Sequence, residues 1–287
     1  MRCKKCGKKA IVYLRQNKLA LCGDCFTDYY LKFINRTIRR YSILRKDEKI
    51  LAAVSGGKDS AVMSTILKLL DYDVELLHIN LGIDDYSKNS ERYSRLLAEF
   101  LDLNLHVIEL ENYGFTIPDV YKKNSKRACS ACGIAKRYIM NRFARENSFD
   151  VVATGHTAED VVSLYIKNMA SGSKAWSEKL LPRNEPFDPK IIAKAKPLFF
   201  GSEKENLIFA IVNKIPFLID NCPYAPNPIW KEILYNIELK KPGFTRNFAR
   251  AIISKDERLK VVNYCKECGE VTNADLCSFC RLKKAFG

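Results

Sequence analysis

The sequence predicts an α/β fold, in which a parallel sheet has helices on both faces and each end of the chain forms a small metal-binding unit. Three observations lead to this prediction. Segments with strand character alternate with segments of helical period, one apolar strand runs directly into a Gly-Gly turn and a helix, and cysteine quartets lie at both chain ends. We divide the chain into domains at residues 1–30, 31–258 and 259–287.

Composition limits the class of protein. The 287 residues are 47% hydrophobic, enough to bury the core of one sizeable domain with small appendages. No apolar run approaches the ~20 residues of a membrane span, and the first residues lead into a cysteine pair instead of a secretory signal. We therefore expect a cytoplasmic protein that makes no membrane contact.

The chain is strongly basic. Lys and Arg number 48 against 33 Asp and Glu, which gives a net charge of +15. Such a charge attracts polyanions, and its effect is weakened by salt. Nucleic acid is the first candidate partner, and a charge that serves only solubility is the alternative.

Eleven cysteines fall into two quartets and a trio. An odd total without an export signal argues against a disulfide framework and for reduced thiolates that bind metal. Each quartet consists of two Cys-x-x-Cys pairs, the pattern of a closed, structural four-thiolate zinc site. We predict two zinc fingers of the ribbon type, each with one Zn²⁺, with the ligands Cys3, Cys6, Cys22 and Cys25, and Cys265, Cys268, Cys277 and Cys280.

An amphipathic helix is predicted from Asp24 to about Leu44, because apolar residues recur there at every third or fourth position. Its polar face is basic and carries Lys32, Arg36, Arg39 and Arg40. This face either follows a phosphate backbone or is simply solvated, and both interpretations are open.

The segment Ile50–Ser60 predicts a buried strand, a tight turn at Ser55-Gly56-Gly57 and the start of a helix. Adjacent glycines let the backbone N–H groups of the turn converge, and the helix N-terminus adds further donors and a positive dipole end. The turn is therefore predicted to bind phosphate. It differs from a Walker A motif, which needs four residues between its first Gly and Gly-Lys-Ser/Thr.

Three more strands are predicted at about Val74–Asn80, Leu103–Leu110 and Asp150–Thr154, with helices between them. In parallel sheets of this kind, ligands bind beyond the carboxyl ends of the strands. His78 lies at such an end, where a histidine can make a hydrogen bond within the strand end. The alternative, contact with a nucleotide, is implied by the family resemblance described below. Gly155 follows the fourth strand and allows the backbone to approach a ligand closely. Asp160, in the first turn of the next helix, faces the same cleft as the Gly-Gly turn if the first and fourth strands are neighbours.

Asp160 has two interpretations. A carboxylate beside bound phosphates is suited to Mg²⁺, which prefers oxygen ligands. An Asp in the first turn of a helix is also suited to capping it. We favour the Mg²⁺ ligand.

The remaining elements are less regular. The Pro- and Asn-rich stretch from Ala170 to Pro189 is predicted as a loop over the site. Helices are expected at about Glu203–Asn213, Ile229–Leu239 and Thr245–Lys255.

The third cysteine group is Cys129, Cys132 and Cys222. The first two have metal-ligand spacing, and Cys222 is the one cysteine left to join them. Three thiolates can hold a [4Fe–4S] cluster and leave one iron without a protein ligand. The alternatives are an open zinc site, which would activate water, and a persulfide on Cys129 or Cys132 that Cys222 resolves as a disulfide. We favour the cluster.

Several motifs together resemble those of the tRNA 2-thiouridine synthetases of the TtuA/TtcA group, in the PP-loop ATP pyrophosphatase superfamily. The TtuA type, with a ribbon at each end, is the most similar. The resemblance implies a PP-loop (adenine nucleotide alpha hydrolase-like) fold. Its motifs are Ser55-Gly56-Gly57-Lys58-Asp59-Ser60, Cys129-Ser130-Ala131-Cys132-Gly133 with Lys136-Arg137-Tyr138, Thr154-Gly155-His156, Asp160 and Cys222-Pro223-Tyr224.

The resemblance also implies site residues. The catalytic set would be Asp59, Lys136 and Asp160, with Cys129, Cys132 and Cys222 as ligands of the cluster. ATP and Mg²⁺ would bind beside them. The implied ATP-binding residues are Ala53, Val54, Ser55, Gly56, Gly57, Lys58, Asp59, Ser60, His78, Ile79, Lys136, Gly155 and Asp160.

By the same resemblance, the enzyme adenylates O2 of a tRNA uridine and replaces it by sulfur, with 5-methyluridine 54 of the T loop as the expected target. Its partners would be tRNA, a sulfur donor (a ubiquitin-like thiocarboxylate carrier or sulfide) and a second copy of the chain. The same chemistry on wobble uridine 34 or on a cytidine is the alternative within this class. A tRNA-binding scaffold without catalysis is the alternative outside it.

Overall fold

The computed structural model describes residues 1–254, 263–272, 274–277, 280–281 and 283–284, and the chain divides into the units Met1–Ile252 and Ile253–Gly287. None of the helices among these residues is long and apolar enough to cross a membrane. The strands are β1 (Val12–Leu14), β2 (Leu19–Leu21), β3 (Lys49–Val54), β4 (Asp73–Asn80), β5 (Leu105–Glu109), β6 (Val151–Thr154), β7 (Arg183–Asn184), β8 (Ala193–Ala195), β9 (Asn263–Tyr264) and β10 (Val271–Thr272). The helices are α1 (Gly23–Arg40), α2 (Lys58–Leu69), α3 (Asp84–Leu101), α4 (Ile117–Lys123), α5 (Ala128–Glu146), α6 (Ala158–Ala170), α7 (Lys174–Ser177), α8 (Glu203–Val212), α9 (Ile229–Lys240) and α10 (Phe244–Ile253).

The central sheet has six strands in the order β5-β4-β3-β6-β8-β7. All neighbours are parallel except β8 and β7, which are antiparallel. The chain runs from β3 outward to β4 and β5, and then returns to place β6 on the other side of β3. The direction of winding therefore reverses between β3 and β6, which is where an open parallel sheet binds its ligand. The first and fourth predicted strands, β3 and β6, are therefore neighbours, which is the condition under which Asp160 shares the cleft of the Gly-Gly turn.

Both faces of the sheet are covered by helices. Ile50 and Ala52 of β3 join a core cluster that contains residues of α1, α2 and α8, whereas Leu51 joins a second cluster with α4 and α5. Successive residues of a strand point to opposite faces, so a strand buried on both faces is apolar throughout. The predicted α/β fold with helices on both faces is confirmed.

The first cysteine quartet lies beside the β1–β2 hairpin. Its four sulfurs lie within 4.8 Å of one another, and Cys22 is the N-cap residue of α1. Along α1, Phe26, Tyr30, Ile34 and Ile38 form a fully buried stripe at i, i+4 spacing. The predicted amphipathic helix is confirmed, although it ends at Arg40 instead of near Leu44.

The second unit contains the other quartet. Strands β9 and β10 pair antiparallel, and the four sulfurs again lie within 4.8 Å of one another. Both quartets therefore match the predicted zinc ribbons. The predicted boundary between residues 258 and 259 and the predicted helix end at Lys255 lie outside the described residues.

The stretch from Ala170 to Pro189, predicted as a loop, contains α7 and the edge strand β7. Arg183 in β7 pairs with Glu48, with Nη2 2.7 Å from Oε1 and Nη1 3.1 Å from Oε2. Only 8% and 7% of the two side chains are exposed. This pair joins β7 to the residue that precedes β3. Moving the segment away would leave both charges buried without a partner, so the pair holds β7 in place. The loop prediction is therefore wrong at β7.

Gly155, where β6 leads into α6, provides a test of this packing. A Cβ at Gly155 would stand 2.8 Å from the backbone nitrogen of Ser60, whereas a Cβ at Gly57 would meet nothing closer than Ser55 Oγ at 3.6 Å. We expect Gly155→Ala to lower the free energy of unfolding by about 1–3 kcal/mol through overpacking. Gly57→Ala should lower it by far less. Urea denaturation measures both, and equal losses would contradict this account.

Candidate active site

Hydrogen bonds within the Gly-Gly turn fix the connection from β3 to α2. Ser60 Oγ donates to the Gly57 carbonyl (3.0 Å) and accepts from the Ser55 backbone N–H (3.2 Å). Gly56 has a φ of +77°, and a Cβ on it would come within 2.6 Å of the Ser90 carbonyl oxygen in α3. Only glycine meets both conditions. The turn is therefore a fixed backbone loop at the N-terminus of a helix, which suits an anion.

A small cavity lies beside this turn, at the ends of β3 and β4 and next to α5. The wall also contains apolar side chains such as Tyr86 and Met140. Six residues of the predicted ATP-binding set line it, namely Ala53, Val54, Ser55, His78, Ile79 and Lys136. The other members of the set are not in the lining and lie at the turn or beyond β6, namely Gly56, Gly57, Lys58, Asp59, Ser60, Gly155 and Asp160.

His78 has one satisfied ring nitrogen and one without a partner. Its Nδ1 lies 3.1 Å from the Val54 carbonyl and 3.0 Å from Ser94 Oγ, which itself donates to the Ser90 carbonyl. Nδ1 therefore carries the proton, and Nε2 is an acceptor. Burial holds the pKa of His78 below its ordinary value. Buried Nε2 makes no hydrogen bond within the described residues, so both predicted interpretations of His78 remain compatible with its position.

A chain of hydrogen bonds from α1 orients Asp59. The buried Tyr30 hydroxyl donates to Asn206 Oδ1 (2.5 Å), and Asn206 Nδ2 donates to Asp59 Oδ1 (2.8 Å). Lys58 Nζ lies 2.8 Å from Asp59 Oδ2. Burial raises the pKa of Asp59, while Lys58 and Asn206 act in the opposite direction. Sequence reasoning missed Tyr30 and Asn206, since only the packing of α8 against α1 and α2 brings them to Asp59.

Asp160 caps its helix and also pairs with a lysine. Its Oδ2 accepts from the Thr157 backbone N–H (2.9 Å), and its Oδ1 lies 2.6 Å from Lys231 Nζ in α9. Lys231 also pairs with Glu203, whose other oxygen lies 3.9 Å from Lys58 Nζ. Burial alone would raise the pKa of Asp160, but Lys231 keeps it below its ordinary value. The helix cap is therefore observed, and the Mg²⁺ role stays a prediction.

The trio of cysteines gathers around the start of α5. Cys129 and Cys132 lie in its first turns, and Cys222 lies in the segment that precedes α9. Cys129 Sγ donates to the Tyr224 carbonyl (3.1 Å), and the Tyr224 ring stacks on Tyr121 of α4, with 4.2 Å between centroids. Cys132 and Cys222 both pack against the core cluster that includes α5. The structure thus brings the three thiols into one region.

Helix α5 links this region to the cavity, because it carries Cys132 and the cavity residue Lys136. Burial raises the pKa of the Cys132 thiol, and Lys136, one turn further along α5, opposes this effect. Tyr86, which lines the cavity, has its pKa raised first by burial and then by Cys222 and Cys132. Residues at i and i+4 share a helix face, so Cys132 and Lys136 point the same way. One helix therefore presents both a cysteine and a cavity residue.

The three sulfurs of the trio are more widely spaced than those of the quartets. In the part of the chain that the structure describes, only the two quartets bring three or more potential ligand atoms within 4.8 Å of one another. Thiolates around one zinc ion, each about 2.3 Å from it, lie about 3.8 Å apart. At least one of the three sulfur–sulfur distances in the trio therefore exceeds 4.8 Å.

Two family models match the chain. The model described as 2-thiouridine synthetase TtuA, N-terminal LIM domain, matches residues 2–27. The model described as PP-loop domain matches residues 29–224.

Similar proteins extend these matches to nearly the whole chain. A Pyrococcus horikoshii protein named tRNA-5-methyluridine(54) 2-sulfurtransferase is 38% identical over 98% of this chain and 93% of its own. A Thermotoga maritima protein of the same name is 36% identical over 99% and 96%. The solved structure of U34-tRNA thiolase NcsA from Methanococcus maripaludis, with its [4Fe-4S] cluster, matches with a TM-score of 0.77 and 28% identity, over 94% of this chain and 92% of NcsA. The chain therefore belongs to the TtuA family of PP-loop tRNA sulfurtransferases.

Proposed function

We propose that the protein uses ATP to replace O2 of a tRNA uridine by sulfur. One observation carries the proposal. Helix α5 holds Cys129 and Cys132 in its first turns and Lys136, which lines the cavity beside the PP-loop, one turn later. Activation by ATP and delivery of sulfur can therefore act on the same carbonyl group.

The placement of ATP follows from the turn and the cavity. The phosphates would lie against Ser55–Ser60 and the N-terminus of α2. The nucleoside would enter the cavity, where the unpaired Nε2 of His78 can accept from an adenine amino group or a ribose hydroxyl. Asp59 and Asp160 would hold Mg²⁺ on the triphosphate, and Lys231 would leave Asp160 as the ion arrives.

The cysteine trio fits a [4Fe–4S] cluster better than a zinc ion. Cluster ligands bind different iron atoms, so their sulfurs need not crowd together as in a tetrahedral zinc site. Cys129, Cys132 and Cys222 are free thiols, and NcsA carries such a cluster. When bound, the cluster supplies an iron without a protein ligand, at which sulfide can be held. The closely spaced quartets fit one structural Zn²⁺ each.

The chemistry has two displacements. Uridine O2 attacks the α-phosphorus of ATP, the bond to the bridging oxygen breaks, and pyrophosphate leaves. Lys136 stabilises the negative charge that grows on the α-phosphate. Sulfide, free or from a ubiquitin-like thiocarboxylate carrier, then adds to C2, the C2–O bond breaks, and AMP leaves with the former O2.

We place the modified uridine at T-loop position 54. The relatives named for 5-methyluridine 54 are 36% and 38% identical to this chain, whereas the U34-tRNA thiolase is 28% identical. Modification of wobble uridine 34 is the alternative target.

The reaction itself is the first test. Anaerobic protein with ATP, Mg²⁺, sulfide and tRNA that contains 5-methyluridine 54 should form 2-thio-5-methyluridine, AMP and pyrophosphate in equal amounts, because each thiolation consumes one ATP. Mass spectrometry of the nucleosides measures the product, and a tRNA with cytidine at position 54 is the control. Sulfur at position 34 would contradict the target, and protein with an intact cluster that forms no AMP would contradict the reaction.

Metal analysis tests the cysteine assignments. We expect Cys222→Ser to lose most of the iron and acid-labile sulfide of the anaerobically purified protein, because one of three ligands is gone. Cys265→Ser is the matched control, which should keep the iron and lose about half of the zinc. Full iron retention in Cys222→Ser would rule out the assignment, and a persulfide in active, iron-free protein would favour chemistry without a cluster.

The hydrogen bond from Asn206 to Asp59 gives a further prediction. Asn206→Leu should lower kcat for AMP formation by about 10–100-fold and raise the Mg²⁺ concentration needed for half-maximal rate, because hydrogen bonds to charged groups contribute about 1.5–3 kcal/mol. Asn213→Leu is the control, since Asn213, the C-cap residue of α8, donates from Nδ2 to Thr27 Oγ1 in α1 (3.1 Å) without a described hydrogen bond to Asp59. If both variants change kcat and the Mg²⁺ requirement equally, Asn206 does not act through Asp59.

A further inference from the structure

The surface formed by α4 and the start of α5 is strongly basic. Between Ile117 and Arg142 there are seven Lys and Arg and one acidic residue. The acidic residue, Asp119, accepts from the Thr116 backbone N–H (2.9 Å) in the capping box of α4. We call five exposed members of this set the basic ridge: Lys122, Lys123, Lys126, Arg127 and Arg137.

Exposed tyrosines stand among these charges. Tyr121 is 42% exposed and stacks on Tyr224, and Tyr138 is 54% exposed and meets Tyr113 edge to face, with 6.2 Å between centroids. Both rings therefore keep part of their surface open to solvent. Aromatic faces next to basic side chains are the usual platform for unpaired RNA bases.

The basic ridge adjoins the cysteine region. Tyr224, which stacks on Tyr121, also accepts the hydrogen bond from Cys129. Along α5, Lys136 lines the cavity while its neighbours Arg137 and Tyr138 are exposed. Adjacent residues of a helix point in different directions, so one turn of α5 directs Lys136 into the cavity and Arg137 and Tyr138 toward solvent.

We propose that the basic ridge, with Tyr121 and Tyr138, holds the tRNA loop whose uridine enters the site. This inference rests on the proposed function and adds the surface that recognises the substrate. Lysines and arginines bind the phosphates, and the tyrosines stack bases that have left the loop. The basic face of α1, also a candidate from the sequence, has no large exposed hydrophobic residue among the described side chains of Gly23–Arg40. The basic face of α1 can therefore attract phosphates but, within these described residues, has no exposed aromatic ring on which a base could stack.

Binding of unmodified tRNA to the metal-loaded protein, without ATP or sulfide, tests the charges. We expect the double variant Lys126→Ser with Arg127→Ser to bind fluorescent tRNA at least about tenfold more weakly and to reduce the slope of log K against log salt by about 1.4. The double variant Lys32→Ser with Arg36→Ser changes the same residue types on α1 and should bind within about twofold of wild type. Equal weakening in the two would overturn the proposal.

A second pair of variants tests the stacking. Tyr138→Ala should weaken tRNA binding by about tenfold, whereas Tyr138→Phe should bind like wild type, because base stacking needs the ring and not the hydroxyl. The comparison matters because the Tyr138 hydroxyl also accepts from Arg142 (3.2 Å). Equal loss in both variants would assign Tyr138 to that contact and overturn its role in stacking. Iron content and thermal unfolding check that each variant is folded.

The outcomes separate this inference from the proposed function. If wild type thiolates tRNA but the ridge variants bind tRNA unchanged, the inference is wrong and the proposed function stands. If wild type neither binds nor thiolates tRNA, the proposed function fails. If the ridge variants keep tRNA affinity and lose only transfer from a ubiquitin-like carrier, the basic ridge binds an acidic protein, and the RNA surface is overturned.

Discussion

The parallel pairing of β3 with β6 is the contact on which the candidate site depends. Its register, with Ala53 opposite Thr154, places the Gly-Gly turn beside Gly155, and the absence of a Cβ on Gly155 allows the two connections to touch. On the other side of β3, Val54 pairs with His78 and adds the histidine to the same edge. Parallel strands end together, so three segments far apart in the chain converge on one edge of the sheet.

The charged groups at this edge pair with one another. Lys58 pairs with Asp59, and Lys231 bridges Asp160 and Glu203. Burial raises the pKa of neighbouring Glu159 to about 7, which shows how unfavourable a further unpaired carboxylate is there. Mg²⁺ and a triphosphate would bring charges of both signs, so binding exchanges these pairs for others instead of leaving a charge buried alone.

Helix α5 connects the two halves of the proposed chemistry. Its first turns carry Cys129 and Cys132, and its next turn carries Lys136. Cys222 approaches this helix on a segment that two contacts of Tyr224 hold in place. The Tyr224 carbonyl accepts a hydrogen bond from Cys129, and the Tyr224 ring stacks on Tyr121. A rigid helix keeps the spacing between sulfur delivery and phosphate activation constant, which a reaction on a single carbonyl requires.

The sequence by itself determined the fold class, the PP-loop and the two quartets, because apolar runs, Gly-Gly turns and Cys-x-x-Cys pairs are local patterns. Tertiary structure decided which partners complete the site. Asn206 forms hydrogen bonds with Asp59 and Tyr30, which are 147 and 176 residues away in the sequence. Lys231 pairs with Asp160 only because α9 packs against α6. No local pattern encodes such pairings. They arise from the order of the strands and the packing of helices on them, as does the edge strand at Arg183, which its buried partner Glu48 holds in place.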